Sequence, residues 1–190
     1  ALNHPTWNMG PKITIDSSTL MNKGFEVIEG HHLFDMPLDR IRVIVHPQSV
    51  VHSLVEFVDG SILAQLSVTD MYLTIQSALF FPERMPNHIR PLDLATCGPL
   101  TFEPPDLERF PCLAYAFDAM RGGGTLTAAL NAANEIAVRR FLESGIPFGA
   151  IPEIIHKTLE EHREEDAGTA MDLEAIFRAD RRARQYAESL

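Results

Sequence analysis

Residues 50–68 read Val-Val-His-Ser-Leu-Val-Glu-Phe-Val-Asp-Gly-Ser-Ile-Leu-Ala-Gln-Leu-Ser-Val, and this stretch decides the fold class. Two strand-like runs, 50–58 and 61–68, flank Asp59-Gly60, a pair that predicts a type I′ hairpin because both residue types tolerate positive φ. A third strand-like run, 41–45, precedes them. Farther upstream Lys12-Ile13-Thr14-Ile15 alternates like a short strand, after which Asp16 or Ser17 can cap a helix running to about Phe34, with Phe25, Ile28 and Leu33 on its buried side. Downstream, residues 72–81 predict a short helix. A connector follows that carries Pro82, Pro86, Pro91, Pro99, Pro104 and Pro105, a density that marks a linker between units.

Beyond residue 106 the pattern is helical throughout, with helices expected at about 111–121, 125–144, 148–162 and 172–187. Gly145 stops the second, and Gly122-Gly123-Gly124 separates the first two. Each has one apolar stripe to cover, so together they read as a bundle. The expected fold is α+β: a small, mostly antiparallel sheet with flanking helices, then a C-terminal four-helix bundle. The expected division is 1–81 for the α+β region, 82–106 for the Pro-rich linker and 107–190 for the bundle.

With 190 residues, 45% of them hydrophobic and 22% charged, the chain can bury one good core or two modest ones. It has no run of about eighteen apolar residues and no basic-then-apolar start, so the expected compartment is the cytoplasm. Cys97 and Cys112 are too few for a disulfide framework and read as reduced core residues. The net charge of −10 is spread evenly, with 6 basic and 11 acidic residues up to Glu103 and 10 and 15 beyond it. That balance argues against nucleic acid and anionic membrane as partners. An anionic ligand must be held locally. Of the lysines Lys12, Lys23 and Lys157, two fall in the first 23 residues beside His4 and several hydroxyls, which makes that segment the place for a phosphate.

The chain opens on His4-Pro5-Thr6-Trp7-Asn8-Met9-Gly10-Pro11, a Pro/Gly loop carrying a large Trp and Met. Such a loop suggests a lid, with a terminal arm packed on its own core as the alternative. The segment 16–29 then sets an amide, an ammonium and a carboxylate on one helical face, since Asn22 and Glu26 are four apart and Lys23 and Glu26 three apart. Ser17 at the helix start can join them. Hydroxyl, amide and lysine at a helix N-terminus suit a phosphate, and Glu26 beside them suits a hard divalent cation, although one carboxylate cannot hold magnesium or manganese alone. A surface helix with a Lys–Glu pair and a Ser cap accounts for the same spacing.

Other polar residues read as structural. His46 and His52 serve the sheet and its edge, and His31-His32 meets a helix C-terminal dipole. Asn131, Asn134 and Glu135 fit buried amides and their partner pinning helices together. The run 160–166 is a solvated helix end.

Four motifs in one order change the weighing: His-Pro-x-Trp-x-Met-Gly at residues 4–10, Asp-Ser-Ser-Thr-x-Met-Asn-Lys-Gly-x-Glu at 16–26, His-Pro-Gln-Ser-Val-Val-His-Ser at 46–53 and Thr-Ala-Ala-Leu-Asn-Ala-Ala-Asn-Glu at 127–135. In this register the chain resembles the 1-deoxy-D-xylulose 5-phosphate reductoisomerase family. The resemblance implies NADPH-dependent rearrangement and reduction of 1-deoxy-D-xylulose 5-phosphate to 2-C-methyl-D-erythritol 4-phosphate, in the non-mevalonate route to isoprenoids, with manganese or magnesium. It implies that Trp7 covers the substrate from a mobile loop, that His4 reaches the phosphate end, and that Met9 and Gly10 lie by the substrate and NADPH. Ser17, Asn22 and Lys23 match residues that hold the phosphorylated ketose, Glu26 matches one metal ligand, and Lys23 can also stabilise oxyanion charge.

The family's other metal ligands belong to an upstream Asp-x-Glu motif that this sequence lacks, as it lacks the Gly-rich NADPH fingerprint. The chain alone is therefore expected to be inactive. The resemblance further implies a homodimer paired through the sheet. Two other readings stand beside the enzyme: a non-catalytic phosphosugar-binding or dimerisation module, and a related NADPH oxidoreductase on another metabolite.

Overall fold

A computed structural model describes residues 2, 9–165 and 172–190. In chain order the elements are α1 (Pro11–Ser18), α2 (Met21–Phe34), a 3-10 turn (Leu38–Arg40), β1 (Val51–Glu56), β2 (Ile62–Leu66), α3 (Met71–Phe80), α4 (Pro111–Gly122), α5 (Leu126–Leu142), α6 (Ala150–Glu165) and α7 (Leu173–Ser189). The α+β class is as the sequence predicts. Among the described residues the chain forms two compact units, one of residues 2, 9–43 and 105–190 and the other of residues 44–104.

The helical unit is built on α5, which packs against α7, α6, α4 and α1, while α2 lies on α4. Leu130, Ala133, Ala137 and Val138 of α5 are fully buried, and Ile151, Ile155 and Leu159 close over them from α6. Small residues let the helices approach closely. On α7 the buried residues are Ala175, Ala179, Ala183 and Ala187, a four-residue repeat that makes one face of alanine. The last helix starts where Asp172 accepts a hydrogen bond from Ala175 N. Four C-terminal helices stand close to the expected positions.

Residues 12–15 are helix rather than strand. Pro11 occupies the first helical turn, and both the backbone N–H and the hydroxyl of Thr14 donate to Gly10 O. Thr14, Ile15 and Asp16 are buried in succession, which no two-residue alternation would give. Nor is the next helix continuous from Asp16. It breaks at Thr19 and Leu20, where Leu20 takes the left-handed conformation (φ 59°) and stands as the N-cap of α2.

Strands β1 and β2 pair antiparallel, with Glu56 opposite Ile62 and Leu54 opposite Ala64. The turn differs from type I′. Gly60 N donates to Phe57 O and Phe57 N to Ser61 O, so Val58 and Asp59 are the central residues and Gly60 (φ 83°) follows in the left-handed region. The Asp59 carboxylate accepts from both the N–H and the hydroxyl of Ser61, which holds this alternative in place. Of the run 41–45 only Val45 pairs, by an isolated antiparallel bridge to Glu103.

That bridge places much of the Pro-rich stretch with the strands. The Gln48 side chain donates to Thr101 Oγ1 at 2.8 Å, His46 Nδ1 lies 2.8 Å from Thr101 O, and Gln76 bonds Pro86 O and Asn87. Thus the compact units divide at 43/44 and 104/105, whereas the sequence suggests 1–81 as one region with a linker to 106. The physical reason is α1 and α2: their buried residues meet α4 and α5.

Candidate functional site

The corner between α1 and α2 carries the charged cluster that the sequence singles out. Thr19, only 4% exposed, sets the corner: its hydroxyl lies 3.2 Å from the carbonyl oxygens of Ile15 and Asp16 and accepts the Met21 N–H at 3.4 Å. Leu20 N then donates to Ser17 O, and α2 begins. Ser17 therefore sits in the last turn of α1, across the corner from α2, and not at the start of the helix that holds Asn22 and Lys23. This corrects the expected cap.

On the first turns of α2 the Lys23 ammonium lies 2.8 Å from both oxygens of Glu26, and Asn22 donates to Glu26 Oε1 at 2.8 Å. The predicted one-face arrangement of amide, ammonium and carboxylate is present. Lys23 and Glu26 are about half exposed, at 44% and 49%, so solvent screens the pair and it contributes little to stability. Two exposed charges held together by a short helical spacing remain accessible to a ligand that competes for either one.

Behind the cluster the packing is tight. A Cβ on Gly24 would stand 2.7 Å from the Cβ of Ala116, so glycine lets α2 approach α4 at this point. Met21 and Val27 are buried beside it. Cys112, also on α4, is a buried thiol pushed up to about 12, first by burial and then by the nearby Asp16 charge, with a hydrogen bond to Thr19 opposing. It is a packing residue, as expected, whereas Cys97 is only half-buried.

A hard cation at the Glu26 carboxylate would need other oxygen donors beside it. Among the described residues no group of three His, Cys, Asp or Glu could hold a metal, so a cation here would take its further ligands from elsewhere. Gly10 caps α1 and is exposed, with open space where a side chain would be, and Met9 beside it is half-buried. His4 and Trp7 lie outside the described residues.

Sequence reasoning missed one feature. Asp16, 1% exposed, is bound by Lys12 Nζ at 2.5 Å and by Asn134 Nδ2 at 2.8 Å. The i,i+4 spacing of Lys12 and Asp16 is visible in the sequence, but the partner on α5 lies 118 residues away. The expectation that Asn134 pins neighbouring helices agrees with this contact. Asn131 donates to Glu135, which also pairs with Arg184 of α7. His52 Nε2 lies 3.2 Å from Ser67 O, in keeping with a sheet-edge role, and His31 Nδ1 lies 2.8 Å from Met36 O just past the end of α2.

Comparison with known proteins defines the class. Residues 66–186 match the DXP reductoisomerase C-terminal domain, and residues 1–34 match a further 1-deoxy-D-xylulose 5-phosphate reductoisomerase C-terminal domain model. The chain belongs to the DXP reductoisomerase family. It is 55% identical over 190 residues to the 1-deoxy-D-xylulose 5-phosphate reductoisomerase of Prosthecochloris aestuarii, covering all of this chain and 49% of that protein. A solved DOX-P reductoisomerase in complex with NADPH, fosmidomycin and magnesium is similar with a TM-score of 0.91 and 48% identity, over 100% of this chain and 48% of that one. The Zymomonas mobilis enzyme in complex with NADPH gives 0.84 and 46%, over 94% and 46%. The chain spans about half the length of these relatives.

Proposed function

We propose that this chain is the part of a 1-deoxy-D-xylulose 5-phosphate reductoisomerase that grips the phosphorylated ketose and supplies one ligand to its divalent metal. The complete enzyme converts 1-deoxy-D-xylulose 5-phosphate to 2-C-methyl-D-erythritol 4-phosphate with NADPH. The observation that carries this reading is the Asn22, Lys23 and Glu26 cluster on the opening turns of α2, in a chain of this family.

Each residue has a physical task. Lys23 and Asn22 offer an ammonium and an amide to the substrate phosphate, beside backbone N–H groups at the start of α2 where the helix dipole favours an anion. Ser17 adds a hydroxyl from the other side of the corner. A divalent cation, when bound, supplies the Lewis acidity that polarises the substrate's ketone and adjacent hydroxyl. Glu26 would hold it, with manganese or magnesium both suited to its oxygen. Glu26 would hold the cation and Lys23 the phosphate, so the two charges that pair with each other here would each have a ligand of opposite sign. Lys23 then also stands near developing oxyanion charge. His4 would meet the phosphate, Trp7 would close over the substrate and exclude water from the rearranged aldehyde that NADPH reduces, and Met9 and Gly10 would border NADPH.

The reading includes a homodimer in the cytoplasm. Support for pairing comes from the strands, where Val55 and Leu63 stand opposite each other and are 58% and 65% exposed, an apolar surface that a second copy would cover. No helix among the described residues is long and apolar enough to cross a membrane.

The test is loss of NADPH absorbance when full-length enzyme carrying this chain meets 1-deoxy-D-xylulose 5-phosphate with manganese or magnesium. Turnover abolished by a chelator and restored by added metal is expected. Absence of turnover with both metals would overturn the assignment.

A further inference from the structure

We infer that Asn134 and Asp16 are positioning residues for the substrate site: through this contact α5 fixes the α1–α2 corner and so places Ser17, Asn22, Lys23 and Glu26. The inference rests on the phosphate-binding reading of that cluster and goes beyond it, because it gives the C-terminal bundle a part in substrate affinity.

The geometry is that of a latch. The Asp16 carboxylate is essentially sealed from solvent, with one oxygen on Lys12 and the other on Asn134. Lys12 in turn lies over the Phe25 ring of α2, 5.2 Å from its centre. One buried carboxylate therefore ties α1 to α5 directly and to α2 through its lysine. The next contact along the chain is Thr19, whose hydroxyl lies 3.2 Å from the Asp16 carbonyl and which meets the first N–H of α2. Only Leu20 separates Thr19 from that helix start. Across the corner, the Gly24 approach to Ala116 fixes how deeply α2 sits on α4. The helix is thus held at two points, and the cluster sits between and around them at positions 22, 23 and 26.

Asn134 is an expensive choice if packing were its only purpose. It is fully buried, and its Oδ1 has no hydrogen-bond partner among the described residues. A leucine of similar size would fill the space without leaving a carbonyl oxygen unsatisfied. What leucine lacks is the N–H that reaches Asp16. A buried polar contact of this type adds little net stability over well-packed apolar residues, and here it joins α5 to α1. A rigid phosphate and metal site gains most from such fixing, since small displacements of binding groups are costly.

The experiment compares Asn134→Leu, Asp16→Asn and Lys23→Ala in the full-length enzyme. The readouts are KM for the ketose phosphate, the competitive inhibition constant of inorganic phosphate, KM for NADPH and the unfolding midpoint. Asn134→Leu is expected to raise the first two together by about tenfold or more while KM for NADPH stays as in the parent. Asp16→Asn keeps an acceptor for Asn134 but loses the Lys12 ion pair, and gives a smaller rise in the same two constants. It also serves if Asn134→Leu does not fold.

Two results overturn the inference differently. If Lys23→Ala weakens phosphate binding while both latch variants leave it unchanged, whatever their unfolding midpoints, the latch is merely structural and the cluster reading stands. If Lys23→Ala also changes nothing, the cluster does not bind phosphate and both readings fall.

Discussion

The helical unit and the strand unit of this chain treat their apolar residues in opposite ways. Every buried hydrophobic residue among those described belongs to the helical unit, from Ile15 to Ala187. In residues 44–104 the strands, the helix α3 and the Pro-rich stretch bury none, and Leu63, Leu79 and Phe81 are 65–82% exposed. The first unit closes its own core. The second is two paired strands, a short helix and loops, and a two-stranded hairpin without cover is marginal in water. Self-contained packing and exposed apolar surface are thus divided between two parts of one chain, and the candidate site lies in the part that closes its own core.

Substitutions separate the two units. Leu130→Ala, at a fully buried position of α5, is expected to destabilise the helical unit by about 2–5 kcal/mol in urea unfolding. The matching change in the strands, Leu63→Ser, is expected to shift the midpoint little and to weaken self-association, read by light scattering across a dilution series. Equal loss of stability from both would erase the contrast.

A second effect is confined to the helical core and appears only at alkaline pH. The folded Cys112 thiol is held up to about 12 against an ordinary 9.0, chiefly by burial. Below pH 9 the thiol is neutral in folded and unfolded chains, so its full contribution is present. Above it the unfolded chain ionises first, and stability falls by about 1.4 kcal/mol per pH unit until the folded thiol titrates. Tyr115, raised first by its own burial and then by the Cys112 charge, acts in the same direction at higher pH, so the difference curve between the parent and Cys112→Ala carries the cysteine together with its coupling to Tyr115. That curve should be flat below pH 9 and then show the parent losing stability relative to the variant.

A smaller change probes the close approach behind the site. Gly24→Ala gains helix propensity of about 1 kcal/mol but pushes against Ala116, and a net loss of about 1–2 kcal/mol is expected from overpacking. Adding Ala116→Gly should restore most of it by removing the facing carbon. A double-mutant cycle with no coupling would show that this contact does not hold α2 in place.

Legibility in the sequence followed the range of the interactions. The hairpin is visible because Asp59-Gly60 interrupts two adjacent runs, though the turn type depends on the Asp59 side chain choosing Ser61. The C-terminal helices are visible through their apolar stripes, and the Asn22, Lys23 and Glu26 cluster through its helical spacing. The four residues 12–15 are too few to tell a period of 2 from one of 3.6, and α1 resulted. The corner at Leu20 was hidden because a leucine at φ 59° carries none of glycine's marks. The pairing of Asp16 with Asn134 was out of reach, since no local pattern joins residues 118 apart.

The proposed site divides a metal and a phosphate between Glu26 and Lys23. Its most direct test is the metal dependence of NADPH oxidation by the full-length Glu26→Gln enzyme at saturating ketose phosphate. We predict that half-maximal activity requires at least about tenfold more manganese or magnesium than in the parent, with a lower maximal rate. A metal titration and maximal rate that both match the parent would contradict the assignment of Glu26 as a ligand and, with it, the account of the site.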